Sequence, residues 1–222
     1  MLKKCKDFVL PLIIGLFYIA QHFYPELTKF GAVSSDHPRW WQFFLNGFMS
    51  GNLIHLVFNM CGLWVVSSQF ASRLRLSFIL IYFTLFSALS SYLYYLFFMP
   101  SHAWLVGASG GVYALVGFLC WFQRKELVCF FGLRVLAMPF LPAVLILLGI
   151  EFLVATFWIR VLAWSLHVIA FSISILTAIA CHAAYIAIRK VHPDWNPLFV
   201  KEKKPQTQEN CGTPSVPAES CN

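Results

Sequence analysis

Apolar residues along this chain gather into six runs, at about 8–24, 51–70, 76–98, 104–122, 135–157 and 161–188, and most charges fall between or outside them. Each run is close to the ~20 residues an α-helix needs to cross the hydrocarbon core of a bilayer. The pattern therefore predicts an all-α polytopic membrane protein, a six-transmembrane-helix bundle occupying residues 1–198. After Ile188 the composition shifts to Lys, Pro, Gln, Ser and Asn. The stretch 199–222 has no apolar period and reads as a disordered cytoplasmic tail.

Composition agrees with the pattern. Of 222 residues 59% are hydrophobic and only 11% are charged, far too apolar for an ordinary soluble domain. A net charge of +7 would suggest nucleic acid in a soluble protein. Here the basic residues sit in short loops and at the ends, so the expected partner is the lipid bilayer and no nucleic acid. If all six runs span, thirteen basic residues share one side, namely Lys3, Lys4, Lys6, Arg73, Arg75, Arg124, Lys125, Arg134, Arg189, Lys190, Lys201, Lys203 and Lys204. Only Lys29, Arg39 and Arg160 fall opposite. That bias predicts both termini on the cytoplasmic side. Lys3, Lys4 and Lys6 before an apolar segment resemble a secretory signal, but no small-x-small cleavage site follows before Gln21-His22-Phe23-Tyr24-Pro25, so the run reads as a retained first helix. Seven cysteines are an odd number; Cys61, Cys120 and Cys181 lie within apolar runs and Cys129 beside one, which fits packing thiols rather than a disulfide framework.

The chemistry gathers around Val106-Gly107-Ala108-Ser109-Gly110-Gly111-Val112-Tyr113. Gly107-x-Ser109-x-Gly111 matches the nucleophile elbow of soluble hydrolases, but that elbow requires a strand running into the turn, and nothing upstream alternates with period two. In the predicted topology the second, fourth and sixth runs all enter from the non-cytoplasmic side. His55 lies about four residues inward with Asn59 one turn deeper, Ser109 about five, and His167 about seven past Arg160. At 1.5 Å per residue these depths are roughly 6–12 Å, so the four side chains share one layer. His55 and Asn59 share a helix face, as do Ser109 and Tyr113. Singly, each would be a back-bonded hydroxyl or interhelical glue. Together, Ser and His supply a nucleophile and a proton acceptor for acyl transfer. Backbone N–H groups near Ser109, with Asn59 and His55, would hold an oxyanion. The acid within a run is Glu151, near the outer end of the fifth; no carboxylate shares the layer on the helices bearing Ser109 and His167, so the expectation is a Ser/His dyad. His22, His102 and His182 fall outside the layer and read as interfacial or packing residues. With no third ligand at this depth a metal site is not expected, and no cofactor is implied.

His55-x-x-x-Asn59, Gly107-x-Ser109-Gly110 with Tyr113 and Gly117, and His167, in this order, resemble the rhomboid intramembrane serine proteases, over about residues 8–188. The resemblance implies Ser109 as nucleophile, His167 as base, Tyr113 as the ring packed on the imidazole, and an oxyanion hole of His55, Asn59 and the Ser109 amide. It implies single-span membrane proteins as substrates, cut near the outer face after entering past the second and fifth helices. The compact core is similar to bacterial inner-membrane forms. The chain departs from the family pattern where Trp41-Gln42 replaces Trp-Arg, Ser50 replaces a histidine, and a glutamate is missing near Ala71. Ala170 and Ser174 stand for Gly-x-x-x-Gly in the sixth run, so helix four, with its stripe of Gly110, Ala114 and Gly117, is expected to approach with slightly wider spacing. Pro139 and Pro142, near the cytoplasmic end of the fifth run, either loosen that helix or shape the turn before it. The connection Pro25–Ser50, with its Arg39-Trp40-Trp41-Gln42-Phe43-Phe44 cluster, is the candidate cover of the site. Two other readings remain: a non-catalytic escort for membrane clients, whose relatives generally lack the serine or histidine, and a small transporter, for which the cluster is too shallow and no inverted repeat is evident.

Overall fold

A computed structural model describes residues 8–70, 75–122, 127–130, 133–157 and 164–191. In chain order, α1 (Val9–Phe23) leads into a connection built from α2 (Glu26–Gly31), β1 (Val33–Ser34), α3 (Trp40–Leu45) and a 3-10 turn at Asn46–Phe48. Next come α4 (Leu53–Phe70), α5 (Leu76–Phe97), β2 (Trp104–Leu105) and α6 (Ser109–Phe122). They are followed by β3 (Leu127–Phe130), β4 (Leu133–Pro139), α7 (Phe140–Phe157) and α8 (Trp164–Val191). Among the described residues, a helix of 14 residues or more lies in each of the six apolar runs. Two of them, α5 with 22 residues and α8 with 28, are long and apolar enough to cross a membrane by themselves. The tail 199–222, Ala71 and many of the orienting basic residues, among them Lys3, Lys4, Lys6, Arg124 and Lys125, lie outside the described residues.

The fold centres on α6. Its residues from Gly110 to Leu115 and from Gly117 to Cys120 are all buried, because small side chains let α8 and α5 close on it from two sides. A Cβ at Gly117 would stand 2.6 Å from the Phe171 carbonyl oxygen, so α8 meets α6 backbone to backbone. Ala170 and Ser174, both fully buried, line that contact. Ser174 does more than tolerate it. Its hydroxyl donates to the Ala114 carbonyl and accepts from the Tyr82 hydroxyl at 2.7 Å, joining α5, α8 and α6 through one polar atom. Around this seam Leu63, Phe83, Phe118 and Leu115 form the core. Leu12, Leu16, Phe58, Leu145, Leu153 and Leu176 face outward. An apolar exterior on this scale would be untenable in water and is what a bilayer demands.

Two boundaries differ from the sequence expectation. The fourth run becomes a helix only at Ser109, because Trp104–Leu105 pairs with Val33–Ser34 as an antiparallel ladder, Val33 against Leu105 and Ser34 against Trp104. A short strand therefore does lead toward Ser109, although it belongs to a two-stranded ribbon at the bundle's end and not to a parallel sheet. The fifth run starts as a helix at Phe140 rather than 135, because β3 and β4 form a hairpin with Leu127 opposite Pro139 and Phe130 opposite Leu133. Pro139 ends the second strand of that hairpin and Pro142 falls in the first turn of α7, where its missing N–H removes no helical bond. The prolines shape the start of the helix.

The connection between α1 and α4 is a folded unit. Gln42 is buried; its Oε1 accepts from Arg39 N at 2.9 Å and its Nε2 donates to the Lys29 carbonyl at 3.4 Å. Trp41 stacks on Phe30 with centroids 5.8 Å apart and lies 5.2 Å from the Arg39 guanidinium. At the tip, His102 Nδ1 stands 3.0 Å from Asp36 Oδ2. That bond holds the exposed Asp36 carboxyl below its usual range.

Candidate active site

Ser109 is the first residue of α6, and the backbone before it explains why. Gly107 adopts φ +147°, a conformation L side chains rarely take, and the chain turns there from the ribbon into the helix. The first helical bond runs from Val112 N to Ala108 O at 3.0 Å. The N–H groups of Ser109, Gly110 and Gly111 precede it, so they are the donors a helix start leaves free. Ser109 is half-buried, and its hydroxyl forms no hydrogen bond among the described residues. The serine sits at N1 rather than five residues into a helix, and the 14 residues of α6 span roughly 21 Å at 1.5 Å each.

His55 and Asn59 come from α4. Asn52 Oδ1 accepts from His55 N at 2.8 Å, capping the helix and fixing where His55 projects. The imidazole then fills the space beside Gly107: a Cβ there would collide with Cε1 and lie 3.0 Å from Nε2. Asn59 is buried and donates Nδ2–H to the His55 carbonyl at 2.9 Å. That uses one of its two amide hydrogens, and the second remains. Farther along, a Cβ at Gly62 would stand 3.1 Å from Val112 Cγ1, so α4 is seated directly on α6.

His167, buried on α8, lies flat against Tyr113 of α6, with ring centroids 4.5 Å apart and planes inclined by 16°. Tyr113 is one turn along from Ser109 on the same face, so the imidazole packs against the helix face that carries the serine. Ser109 and His167 are not hydrogen-bonded to each other, a common state of an unliganded site. Gly110 is needed here: a Cβ would come 2.8 Å from Ser90 Oγ and 3.8 Å from Leu166, the residue before His167. The structure thus brings His55 against Gly107, and Tyr113 against His167, at one end of α6. The family model for the rhomboid domain matches residues 37–184, well over half of the chain. This chain belongs to the rhomboid family. It is accordingly a membrane-embedded helical protein, of a family whose members are typically intramembrane proteases and include inactive forms.

Where this rhomboid departs from the common pattern, other polar residues carry the load. Ser50 is buried and bonded in both directions to α1: its N–H donates to Gln21 Oε1 at 3.0 Å and its carbonyl accepts from Gln21 Nε2 at 3.1 Å. Two further residues reach the site, and only the second of them stood out in the chain. Asn46, buried in the 3-10 turn, donates Nδ2–H to the carbonyls of Gln42 and Phe43, accepts from Ser91 Oγ at 3.0 Å, and through its own carbonyl holds Gly107 N at 3.0 Å. Glu151 of α7, which has no part in a Ser/His dyad, reaches the imidazole: Oε2 lies 2.8 Å from His167 Nδ1, and Oε1 accepts from the Tyr113 hydroxyl. Its charge inside the fifth apolar run was visible in the chain; its reach to the site was not. The remaining histidines lie elsewhere, His182 accepting from Trp121 Nε1 at 2.9 Å and His102 on Asp36.

Proposed function

We propose that this rhomboid is an intramembrane serine endopeptidase that cuts single-span membrane proteins near the outer face of the membrane, using Ser109 and His167. The observation that carries the reading is the stack of His167 on Tyr113, one helical turn from Ser109 on the same face, an arrangement a purely packing histidine does not need. In this mechanism the Ser109 hydroxyl attacks the scissile carbonyl while its proton passes to Nε2 of His167. The tetrahedral oxyanion lies against the free N–H of Ser109 and the side chains of His55 and Asn59. His167 then returns the proton to the leaving amine, and an acyl group stays on Ser109 Oγ. Water repeats the sequence in reverse, releasing the acid and restoring the hydroxyl. A substrate peptide bond must first leave its helix, since a helical carbonyl is hydrogen-bonded and shielded. All six long helices cross the membrane in this reading, α6 from a recessed start, with both termini cytoplasmic and the cell membrane of a bacterium as the setting. The folded connection over residues 25–50 covers the site.

Purified full-length chain in detergent, treated with a fluorophosphonate probe, tests this. Labelling of the wild type with none in Ser109→Ala and His167→Ala supports an activated serine. A folded wild type that neither labels nor cleaves a single-span test substrate excludes the protease and favours client binding without catalysis.

A further inference from the structure

The dyad mechanism leaves one carboxylate beside the imidazole without a role. Glu151 lies in an otherwise apolar stretch of α7, Leu147-Leu148-Gly149-Ile150 before it and Phe152-Leu153 after it, where an ionisable side chain is costly unless partners receive it. Its partners are the two aromatic groups of the candidate site. Oε2 meets His167 Nδ1 at 2.8 Å and Oε1 takes the Tyr113 hydroxyl hydrogen bond, while the Tyr113 ring covers the face of the imidazole. One carboxylate thus grips the edge of the ring whose face is already fixed.

We propose that Glu151 is a positioning residue for His167: it accepts the Nδ1–H bond, selects the tautomer protonated at Nδ1, and leaves Nε2 to exchange a proton with Ser109. The inference rests on the protease reading. Glu151 neither gains nor loses a proton in the cycle; Nδ1 stays protonated throughout, and each transferred proton enters and leaves at Nε2. The carboxylate also faces an imidazolium whenever Nε2 holds the Ser109 proton, so its charge is placed where positive charge develops. Three helices share the assembly, with α7 supplying the acid, α8 the base, and α6 the nucleophile and stacking ring. A packing contact between α7 and its neighbours would need none of this polarity.

The test compares wild type, Glu151→Gln and Glu151→Leu as full-length protein in detergent, measuring kcat and KM on a single-span substrate and the thermal midpoint. Glu151→Leu is expected to lose roughly 100-fold in kcat, as misplaced catalytic groups do, with KM within about twofold. Glu151→Gln keeps one acceptor oxygen for Nδ1–H and is expected to fall between, with its thermal midpoint close to wild type. Wild-type kcat in Glu151→Gln and Glu151→Leu, or a lowered midpoint with unchanged kcat, overturns the proposal and leaves a helix-joining contact. Should Glu151→Leu fail to fold, Glu151→Gln decides alone, unchanged kcat sinking the idea. Ser109→Ala and His167→Ala run alongside. If they still cleave, the protease reading itself fails; if they are inert while every folded Glu151 variant matches wild type, only the positioning role falls.

Discussion

At Gly107 a single missing side chain links the backbone to the candidate site. The residue combines φ +147° with an imidazole standing where its Cβ would be. Alanine there meets two penalties, a backbone state costing roughly 1–3 kcal/mol and a collision with His55. Gly107→Ala should therefore lose fluorophosphonate labelling and melt earlier. Gly149, on α7, has open space where a Cβ would stand, with nothing within 4 Å, and Gly149→Ala should stay within about 0.5 kcal/mol of wild type. Equal effects from the two substitutions would show that the conformation at Gly107 is not special. The sequence made Ser109, His167, Tyr113, His55 and Asn59 conspicuous, because polar groups in apolar runs stand out against their neighbours. It made Glu151 equally conspicuous but hid its partner. Counting depth along helices says which level a residue reaches; it does not say which way α7 rotates, and rotation is what brings the carboxylate to His167.

Among the elements, the pair α6 and α8 sets the geometry of the site. His167 can lie flat on Tyr113 only while the two helices touch, and they touch through Gly117, Ala170 and Ser174. The Gly117→Val side chain would have to displace the Phe171 backbone, which no rotamer change can avoid. The expected cost is roughly 1–3 kcal/mol, with His167 pushed off Tyr113 and cleavage reduced accordingly. Thermal unfolding and kcat measured together check this; a stable but inactive variant would still fit, whereas full activity with unchanged stability would refute the close contact. Small residues at four-residue spacing were legible in the chain as a contact stripe. The hydroxyl of Ser174 was legible only as a departure from glycine, and its bonds to Ala114 and Tyr82 emerge from three helices meeting. Helix starts were the least legible boundaries. Trp104–Leu105 and Leu133–Pro139 are as apolar as the helices they precede, and only tertiary pairing makes them strands.

For the molecule as a whole, the question is how a loop-rich connection becomes rigid enough to hold the turn that leads into Ser109. Hydrophobic periodicity has nothing to say about residues 25–50, since their order comes from individually satisfied polar atoms rather than from a repeating face. Asn46 is the junction. Its side chain ties the connection to itself and to Ser91 of α5, and its carbonyl holds Gly107, two residues before the start of α6. Asn46→Ala would remove the side-chain donors to two carbonyls and the acceptor of the Ser91 hydroxyl, while the Gln42 carbonyl keeps the Asn46 backbone N–H, a loss of roughly 2–3 kcal/mol. The Gly107 bond comes from the backbone and survives the substitution chemically, but its position depends on the turn that the side chain maintains. Trp41, by contrast, packs against Phe30 and Arg39 within the connection, so Trp41→Ala should alter rate without abolishing chemistry and cost less than Asn46→Ala. Thermal midpoints and probe labelling of the two variants separate them. A larger loss of labelling in Trp41→Ala than in Asn46→Ala would mean that the connection acts on the site as a cover, through its aromatic surface, and not through the polar junction that reaches Gly107.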